Sequence, residues 1–460
     1  MSKNMKELLI MITGDYVVRD SNSRIPDPNA NSVLIRNGRV LAIGDSKQLE
    51  SEFGVDVFYE QPNTIIAPGL VNTHTHSVQS LLKGIADDKS LLDWLKDAIL
   101  PGEATFTSEE VFVSSLIGYM DLLSHGTTFA NDMLTVNYSD KGINAADMIG
   151  IRVKVGKMLM DMGEGIPLKL IQDTDEAIEE SYHLIDRWHL KSSLIEYSVN
   201  PRFLVTCSEK LMRKASEIVS SDPTLSYHTH ANENLEEIRL VKKLHGMNYI
   251  DALREYGFLG SKSIIAHGVW LSEHEKYLLS STNTAVSHNP SSNCKLASGI
   301  SDWLSLKNRG IRVGLATDGA PCNNTMDMFR EMRLASFLQK VSKLDETVTS
   351  AVEIFDMATY QGAVALNHPE LGKIRPNSPA DIVVIDISSP SHFPLHDLIS
   401  HLVYRASGSE VLMTFVNGEL VYDRFRKNPF VKLPSSVISH AINIANRYAL
   451  DKPWKTRDPN

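Results

Sequence analysis

Several histidines and one aspartate of this 460-residue chain end apolar, strand-like runs of sequence. His74 and His76 are separated by a single residue, so on a strand both side chains point to the same face. Four other runs end in residues of the same kinds: His230, His267, His288 and Asp318. A single His-x-His pair arises by chance in many chains. Imidazoles and a carboxylate at the same end of several strands are a much more specific signal.

Three imidazoles and one carboxylate suit a single zinc ion, or an iron or manganese ion. We predict that each chain binds one divalent metal, with zinc preferred, through His74, His76, His230 and Asp318. An isolated strand-end histidine is more often structural, so His288 is either a substrate contact or a buried hydrogen-bonding group. Histidines on helical patterns or turns are predicted to be structural: His125, His183, His189, His245 and His274.

A metal-activated water also needs groups that take up its proton and pass it on. Glu233 follows His230 by three residues, which places a carboxylate beside the metal without making it a ligand. Asp318 can share the proton of the water, and His267 can donate a hydrogen bond to hydroxide or to developing charge. Glu233 also fits a helix N-terminal acid, and the two roles are compatible.

The middle of the chain alternates strand-like runs with amphipathic helical stretches. The eight runs are Thr64–His76, Gly126–Asp132, Arg152–Asp161, Leu194–Arg202, Leu225–Glu233, Ser263–Trp270, Asn283–Asn289 and Arg312–Asp318. The helical stretches include Ser108–Ser124, Asp175–Trp188, Ser208–Ser220, Leu235–His245 and Met326–Gln339. This alternation predicts an α/β fold with parallel strands. Eight units close into a (β/α)₈ TIM barrel whose active site lies at the carboxyl ends of the strands.

The two ends of the chain read as short strands and turns. Val33–Gly44 and Leu412–Tyr422 each place Asn-Gly between apolar runs, which is a hairpin signal. Ala380–Asp386 is a further strand candidate. We predict a small, sandwich-like β domain from residues 1–66 and 375–460, and a barrel from residues 67–374.

The composition narrows the classes of function. The net charge of −10 makes nucleic acid an unfavourable partner. The three cysteines form no CxxC motif, which argues against a disulfide scaffold or a thiolate zinc site. No signal-peptide pattern or uninterrupted apolar stretch of membrane-spanning length stands out, so we expect a cytoplasmic protein with a small-molecule substrate and no membrane partner.

Taken together, these motifs resemble the amidohydrolase superfamily, and within it the deaminase and triazine-hydrolase branch. The matching segments are Pro68–His76, His230–Glu233, Ala266–Gly268, Ser287–Pro290 and Thr317–Gly319. The resemblance covers essentially the whole chain. It implies a single metal on the four ligands above, proton transfer by Glu233, His267 and Asp318, and hydrolytic deamination of a ring carbon with loss of ammonia.

The substrate signals point two ways. Gln79 and Arg202 are similar to the residues with which guanine deaminases read the amide edge of a purine, and their donors and acceptor suit an oxo-heterocycle. Trp94 and Glu103 are similar to ribose-side contacts of S-adenosylhomocysteine and methylthioadenosine deaminases. Those enzymes have a histidine where this chain has Arg202. We therefore expect a guanine-like purine or related oxo-heterocycle, with adenosine-type deamination as the alternative.

Other functions remain open at this point. A two-metal cyclic amide hydrolase would need a carboxylated lysine, for which Lys154 and Lys157 are poorly placed candidates. A barrel that had lost catalysis would lack ligands, and none is missing. A triazine chlorohydrolase would share the metal and the water, but Glu233 favours deamination because a leaving amine needs an acid. Long helices on the rim of the barrel would allow a homodimer.

Overall fold

The computed structural model describes residues 8–460, so the first seven residues of the predicted small domain lie outside it. Its strands are β1 Leu9–Thr13, β2 Tyr16–Val17, β3 Ser32–Arg36, β4 Arg39–Gly44, β5 Val57–Glu60, β6 Thr64–Pro68, β7 Leu70–His76, β8 Thr127–Met133, β9 Arg152–Gly156, β10 Met158–Leu159, β11 Ile195–Pro201, β12 Ser226–Ala231, β13 Ser263–His267, β14 Ala285–His288, β15 Val313–Leu315, β16 Asp318–Gly319, β17 Ile382–Asp386, β18 Val411–Val416 and β19 Glu419–Asp423.

The α-helices are α1 Ser46–Phe53, α2 Leu91–Trp94, α3 Leu100–Ala104, α4 Ser108–Ser124, α5 Ser139–Ile149, α6 Thr174–Trp188, α7 Glu209–Ser221, α8 Leu235–His245, α9 Tyr249–Glu255, α10 Glu273–Ser281, α11 Pro290–Lys295, α12 Trp303–Asn308, α13 Ala320–Asn323, α14 Met328–Lys343, α15 Ala351–Met357, α16 Tyr360–Ala365, α17 Leu398–Tyr404, α18 Ser435–Asp451 and α19 Pro453–Thr456. A π-helical turn at Leu95–Ile99 joins α2 to α3. Within residues 8–460, none of the helices is both long and apolar enough to cross a bilayer.

The predicted barrel is confirmed. The strands β7, β8, β9, β11, β12, β13, β14 and β15 follow one another around it in chain order, each parallel to its neighbours. The eighth run is interrupted, so β15 pairs with β14, and the short β16 closes the ring against β7. In this closing register Asp318 lies opposite Thr75, between the two histidines of the first strand. Strand pairing alone therefore brings the two ends of the predicted ligand set together.

The helices between the strands begin at residues whose side chains cap them. Thr107 and Glu110 form a reciprocal capping box at the start of α4, and Asn234 and Glu237 form another at the start of α8. Both helices match their predicted limits, because a cap is a local signal that sequence carries directly. Near the C-terminus, α17 packs against α14 and α15, and α18 packs against α4.

The second, smaller β structure is built from both chain ends, as predicted. One sheet has the order β4-β3-β1-β5 and comes from the N-terminal segment alone. The other has the order β19-β18-β17-β6-β2, with β6 from the N-terminal segment paired to β17 from the C-terminal segment. An apolar cluster that includes Ile12, Val33, Val384 and Phe415 joins the two sheets. The exact division between this structure and the barrel remains our proposal.

The two Asn-Gly turns meet at their tips. Asn37 and Gly38 join β3 to β4, and Asn417 and Gly418 join β18 to β19, all with φ between 50° and 77°, as type I′ hairpin turns require. Ala380 links them, because its N–H donates to the Gly38 carbonyl (2.8 Å) and its carbonyl accepts from the N–H of Gly418 (2.9 Å).

A buried ion pair ties the barrel to this β structure. Arg152, at the start of β9, makes a bidentate contact with Asp381 through Nε (2.9 Å) and Nη2 (3.0 Å). Asp381 Oδ1 also accepts from the N–H of Asn417 (2.7 Å), and its carbonyl accepts from the N–H of Gly69, which immediately precedes β7 (2.9 Å). One residue therefore holds the third strand, the entry to the first strand and one hairpin turn in register.

We expect Gly418→Ala to lower the free energy of unfolding by more than Gly246→Ala. Both glycines have positive φ (77° and 69°), so each alanine carries a strain of about 1 kcal/mol. A Cβ on Gly418 would lie 2.8 Å from Gly38 Cα, whereas one on Gly246 meets nothing within 4 Å. The close contact should add about 1–3 kcal/mol. Chemical denaturation of both variants measures the difference, and equal losses would show that the turns do not pack tightly.

Candidate active site

The predicted metal ligands converge at the carboxyl ends of the barrel strands. His76 Nε2 lies 3.1 Å from His230 Nε2. Asp318 Oδ1 lies 3.4 Å from His74 Nε2 and 3.5 Å from His76 Nε2. Atoms bound to one zinc ion at about 2.1 Å must lie within about 4.2 Å of each other, and these three separations satisfy that limit.

Burial sets the charge of these groups. Desolvation lowers the pKa of His74 and His230, and it lowers the pKa of His76 to about 3, so the rings are neutral. Burial alone would raise the pKa of Asp318, but its close approach to His74, followed by His267 and His76, holds it well below its usual range. Neutral imidazoles facing an ionised carboxylate are the protonation states in which these side chains bind a metal.

The outer nitrogens of the rings orient the inner ones. His76 Nδ1 lies 2.7 Å from the carbonyl of Met133, and His230 Nδ1 lies 2.7 Å from that of Arg202. A carbonyl only accepts, so each ring donates through Nδ1 and presents the Nε2 lone pair to the cluster. His74 Nε2 is buried and has no hydrogen-bond partner among residues 8–460. The donor set and this orphaned nitrogen fit a bound divalent cation.

Glu233 and His267 lie directly beside this cluster. His267 Nε2 is 3.4 Å from Glu233 Oε2 and 3.8 Å from Asp318 Oδ2. Ser298 Oγ donates to Glu233 Oε1 (3.2 Å). Burial, followed by the charge of Asp318, raises the pKa of Glu233 to about 8. Because Asn234 and Glu237 cap α8, the side chain of Glu233 is not used for helix capping.

The backbone at two of these residues is strained. His267 has φ 75° and Asp318 has φ 62°, although neither is a glycine. Residues held in this left-handed region cost about 1–3 kcal/mol and cluster at active sites. His267 is fixed further by its Nδ1, which lies 2.9 Å from Asn293 Oδ1. The fold therefore holds these two side chains in place despite a strained backbone.

A cavity opens over the cluster, with about 380 Å³ of empty space that includes open solvent. Its lining residues come from the strand ends and from the segment around α2: His76, Gln79, Leu91, Trp94, Leu95, Arg202, Phe203, His230, Glu233, His267, Leu296 and Asp318. One wall is apolar and aromatic, and the floor carries the histidines and carboxylates. This arrangement suits a flat heterocycle whose polar edge faces the cluster of histidines and carboxylates.

Three of the predicted substrate-binding residues, Gln79, Glu103 and Arg202, belong to one network of polar contacts. Glu103 Oε1 accepts from Gln79 Nε2 (2.8 Å), and its Oε2 accepts from Thr135 Oγ1 (2.8 Å). Arg202 Nη1 lies 3.6 Å from Glu103 Oε1. Glu103 and Arg202 are almost fully buried; Gln79 and Arg202 line the cavity, and Glu103 contacts both of them.

Two other candidates differ in their placement. Trp94 lines the cavity, and its Nε1 is buried without a partner in the described part of the chain. His288 ends β14 but is not among the lining residues, and both of its ring nitrogens are buried without a partner within residues 8–460. Burial lowers the pKa of His288 to about 3. Its role as a substrate contact remains a prediction.

The lysines of the two-metal alternative point elsewhere. Lys154 Nζ pairs with Glu196 (3.0 Å), while Lys157 binds Gln172 and Glu180. Both lysine side chains are therefore paired with groups other than the predicted metal ligands. The structure gives no support to a carboxylated lysine that bridges two ions.

Sequence reasoning missed several residues that support the site. His228, two residues before His230, lies 2.7 Å from His74 through its Nε2. Its signal was present, because His228 and His230 repeat the His-x-His spacing of the first strand. Ser298 and Thr135 carried no comparable signal, since their partners Glu233 and Glu103 are distant in sequence.

Comparison with known proteins gives consistent results. The model of the amidohydrolase family matches residues 65–421. A 5-methylthioadenosine/S-adenosylhomocysteine deaminase of Nitratidesulfovibrio vulgaris is 34% identical over 95% of this chain and 96% of its own length. A zinc-bound adenosine deaminase of Xanthomonas campestris superposes with a TM-score of 0.86, 27% identity, and coverage of 96% and 98% of the two chains. E. coli guanine deaminase gives a TM-score of 0.81 and 28% identity over 91% and 99%.

We expect the purified protein to bind one divalent ion per chain and His230→Ala to weaken that binding by more than about tenfold. The variant removes an imidazole 3.1 Å from His76 without touching the strand pairing. Elemental analysis after dialysis against graded chelator measures both quantities. The control is His274→Ala, which removes an exposed histidine that pairs with Asp251. Two ions per chain would revive the two-metal alternative, and unchanged binding in His230→Ala would contradict the ligand set.

Proposed function

Because this chain belongs to the amidohydrolase family, we propose that it is a metal-dependent hydrolytic deaminase that acts on adenosine-type nucleosides modified at the 5′ position. The observation that carries the proposal is the likeness to the Nitratidesulfovibrio vulgaris deaminase, which extends over 95% of the chain. The cavity supports it, because a carboxylate, Glu233, lies next to the metal cluster, where a leaving amine would need a proton.

This proposal adopts the alternative substrate rather than the guanine-like one that Gln79 and Arg202 suggested. The comparisons favour the adenosine-type reading, since the relative with the higher identity deaminates adenosine derivatives. The guanine-like reading stays as a second candidate on one observation. Gln79 and Arg202 both line the cavity and both contact Glu103, so they could read a ring carbonyl and its neighbouring N–H.

The metal would be held by His74, His76, His230 and Asp318, and zinc is the ion we propose. A bound divalent ion lowers the pKa of a coordinated water from 15.7 to about 7 and thereby supplies a nucleophile at neutral pH. The three imidazoles contribute no charge, so Asp318 is the single negative ligand. The net positive charge that remains favours hydroxide at the site.

Glu233 is the proposed proton carrier. Its Oε2 faces His267 and the cluster, while Ser298 fixes the other oxygen. It would take a proton from the attacking water and deliver it to the exocyclic amine, which then leaves as ammonia. His267 would donate a hydrogen bond from Nε2 in the tautomer whose Nδ1 accepts from the Asn289 side-chain amide (3.2 Å). Asp318 would share the proton of the water at the edge of the metal.

The cavity walls would orient the heterocycle. Trp94, Leu95 and Phe203 present apolar surface on which a flat ring can pack. The Glu103 carboxylate can accept from hydroxyl groups, and Arg202 can donate to a ring nitrogen or carbonyl.

A neighbouring concavity supports a 5′ substituent. Its empty space is about 840 Å³, open solvent included, and two of its lining residues are close in sequence to the walls of the catalytic cavity, since Lys96 follows Leu95 and Val205 lies close after Phe203. Met162 and Val205 supply apolar lining that suits a thioether. Lys96 and Lys243 lie at the same concavity and could pair with a carboxylate at the end of such a chain.

We expect Glu233→Gln to retain its metal and to lose about 10²–10⁴-fold in kcat, because the amide cannot carry a proton between water and amine. The matched control is Glu237→Gln, which neutralises the other buried carboxylate of this segment, while its amide oxygen can still accept from the N–H groups of Glu233 and Asn234. Ammonia release and metal content are measured on the same samples. Normal turnover by Glu233→Gln would contradict its role as proton carrier.

We expect ammonia release from adenosine, methylthioadenosine and S-adenosylhomocysteine, with kcat/KM highest for the 5′-modified compounds. The physical reason would be the second concavity, lined by Met162 and Val205, if a 5′ substituent reaches it, because unmodified adenosine cannot use that surface. Guanine, 8-oxoguanine and a chlorinated triazine complete the panel. Turnover of the oxopurine bases with none of the nucleosides would replace the proposal by the guanine-like candidate, and chloride release from the triazine would point to a chlorohydrolase.

A further inference from the structure

One predicted metal ligand, His74, contacts a further histidine that lies behind the predicted ligands. His74 Nδ1 is 2.7 Å from His228 Nε2, and both side chains are fully buried. His228 precedes His230 by two residues on β12, so both side chains point to the same face of the strand. The contact therefore links the first and fifth strands immediately beneath the predicted ligands.

His74 differs from the other two imidazole ligands in what holds its outer nitrogen. His76 and His230 each donate to a main-chain carbonyl, of Met133 and Arg202 respectively, at 2.7 Å. Main-chain carbonyls are present whatever the side chain, so those two orientations are fixed by the fold. The orientation of His74 depends instead on a side chain that evolution or mutagenesis can change.

The positions of the ring protons decide which of the two histidines donates the hydrogen bond. When His74 Nε2 binds a cation, its one ring proton must be on Nδ1, which then donates to His228 Nε2. His228 must in turn carry its own proton on Nδ1. That nitrogen is buried and has no hydrogen-bond partner in residues 8–460. A buried unsatisfied donor destabilises the fold, which is a high cost for a contact that only fills space.

We propose that His228 is a positioning residue that fixes the tautomer and orientation of His74 and so sets the affinity of the site for its metal. The inference rests on the proposed metal-dependent function and goes beyond it, because His228 reaches neither metal nor substrate. A neutral imidazole is a weaker acceptor than the carboxylates that often support zinc-bound histidines. His74 would consequently donate less electron density to an ion bound at Nε2.

The test compares His228→Leu, which removes the acceptor, with His228→Gln, whose side-chain oxygen reaches the position of Nε2. Apo-protein is titrated with Zn²⁺ and Co²⁺ in the presence of a competing chelator, and the visible spectrum of the Co²⁺ form is recorded. We expect His228→Leu to bind about 10–100-fold more weakly, with a changed Co²⁺ spectrum. His228→Gln should recover most of the affinity and the wild-type spectrum.

The control is His392→Leu, because the chain contains another close contact between two histidines, in which His392 is buried and His401 is half-buried. His392 Nδ1 lies 2.8 Å from His401 Nε2, and neither residue is among those that line the catalytic cavity. Losing that contact should lower the melting temperature but leave metal affinity unchanged. Equal losses of affinity in His392→Leu and His228→Leu would reduce His228 to a general stabilising residue and overturn the proposal.

The remaining outcomes are also decisive. Wild-type affinity and spectrum in His228→Leu would overturn the role of His228 while leaving the proposed function intact. Failure of the wild-type chain to bind either ion would remove the proposed function itself. If His228→Leu does not fold, His228→Gln is compared with His228→Asn, whose oxygen stops about one bond short. Equal affinities of those two variants would then overturn the proposal.

Discussion

The site depends on keeping several imidazoles neutral around a single ionised carboxylate. Burial alone would also raise the pKa of Asp318, but its close approach to the imidazoles, His74 first, keeps that pKa low, and desolvation lowers the pKa of His74. That balance requires close and fixed placement, which the closed ring of parallel strands provides. The pairing of β16 with β7 puts Asp318 opposite Thr75, and the left-handed backbone of Asp318 and His267 completes the aim.

The sequence predicted what local patterns can carry. Alternating runs and helices predicted the barrel, Asn-Gly turns predicted the hairpins, and strand-end histidines with Asp318 predicted residues that do lie together. Of the apolar wall, Trp94 was predicted but Leu91 and Leu95 were not, because they resemble ordinary core positions of a helix until the fold places them at the cavity. His228 was missed for a different reason: in a His-x-His motif, only three-dimensional proximity to His74 tells which ring supports and which ring binds.

The conflicting substrate signals have a structural explanation. Gln79 and Arg202, which resemble guanine-deaminase residues, both contact Glu103, which resembles a ribose contact of nucleoside deaminases. The amide and the guanidinium both contact the carboxylate, so the role of each group depends on the other two. Changing any one of them alters the charge and hydrogen bonding offered by the other two. Each motif, taken separately, therefore indicates a different substrate, although the three residues lie together at one site.

The joining of the two chain termini in one sheet constrains the order of events during biosynthesis. The strand β6 needs β17 as its antiparallel partner, and Arg39 donates to the carbonyl of Asn377 across 338 positions. The barrel segment is translated between these partners and can gather its strands first, while β6 waits with an unpaired edge as the ribosome proceeds. Such long-range pairing slows folding, and an open edge invites self-association. Nascent chains that stall before Ile382 would therefore be the species that most needs chaperone protection.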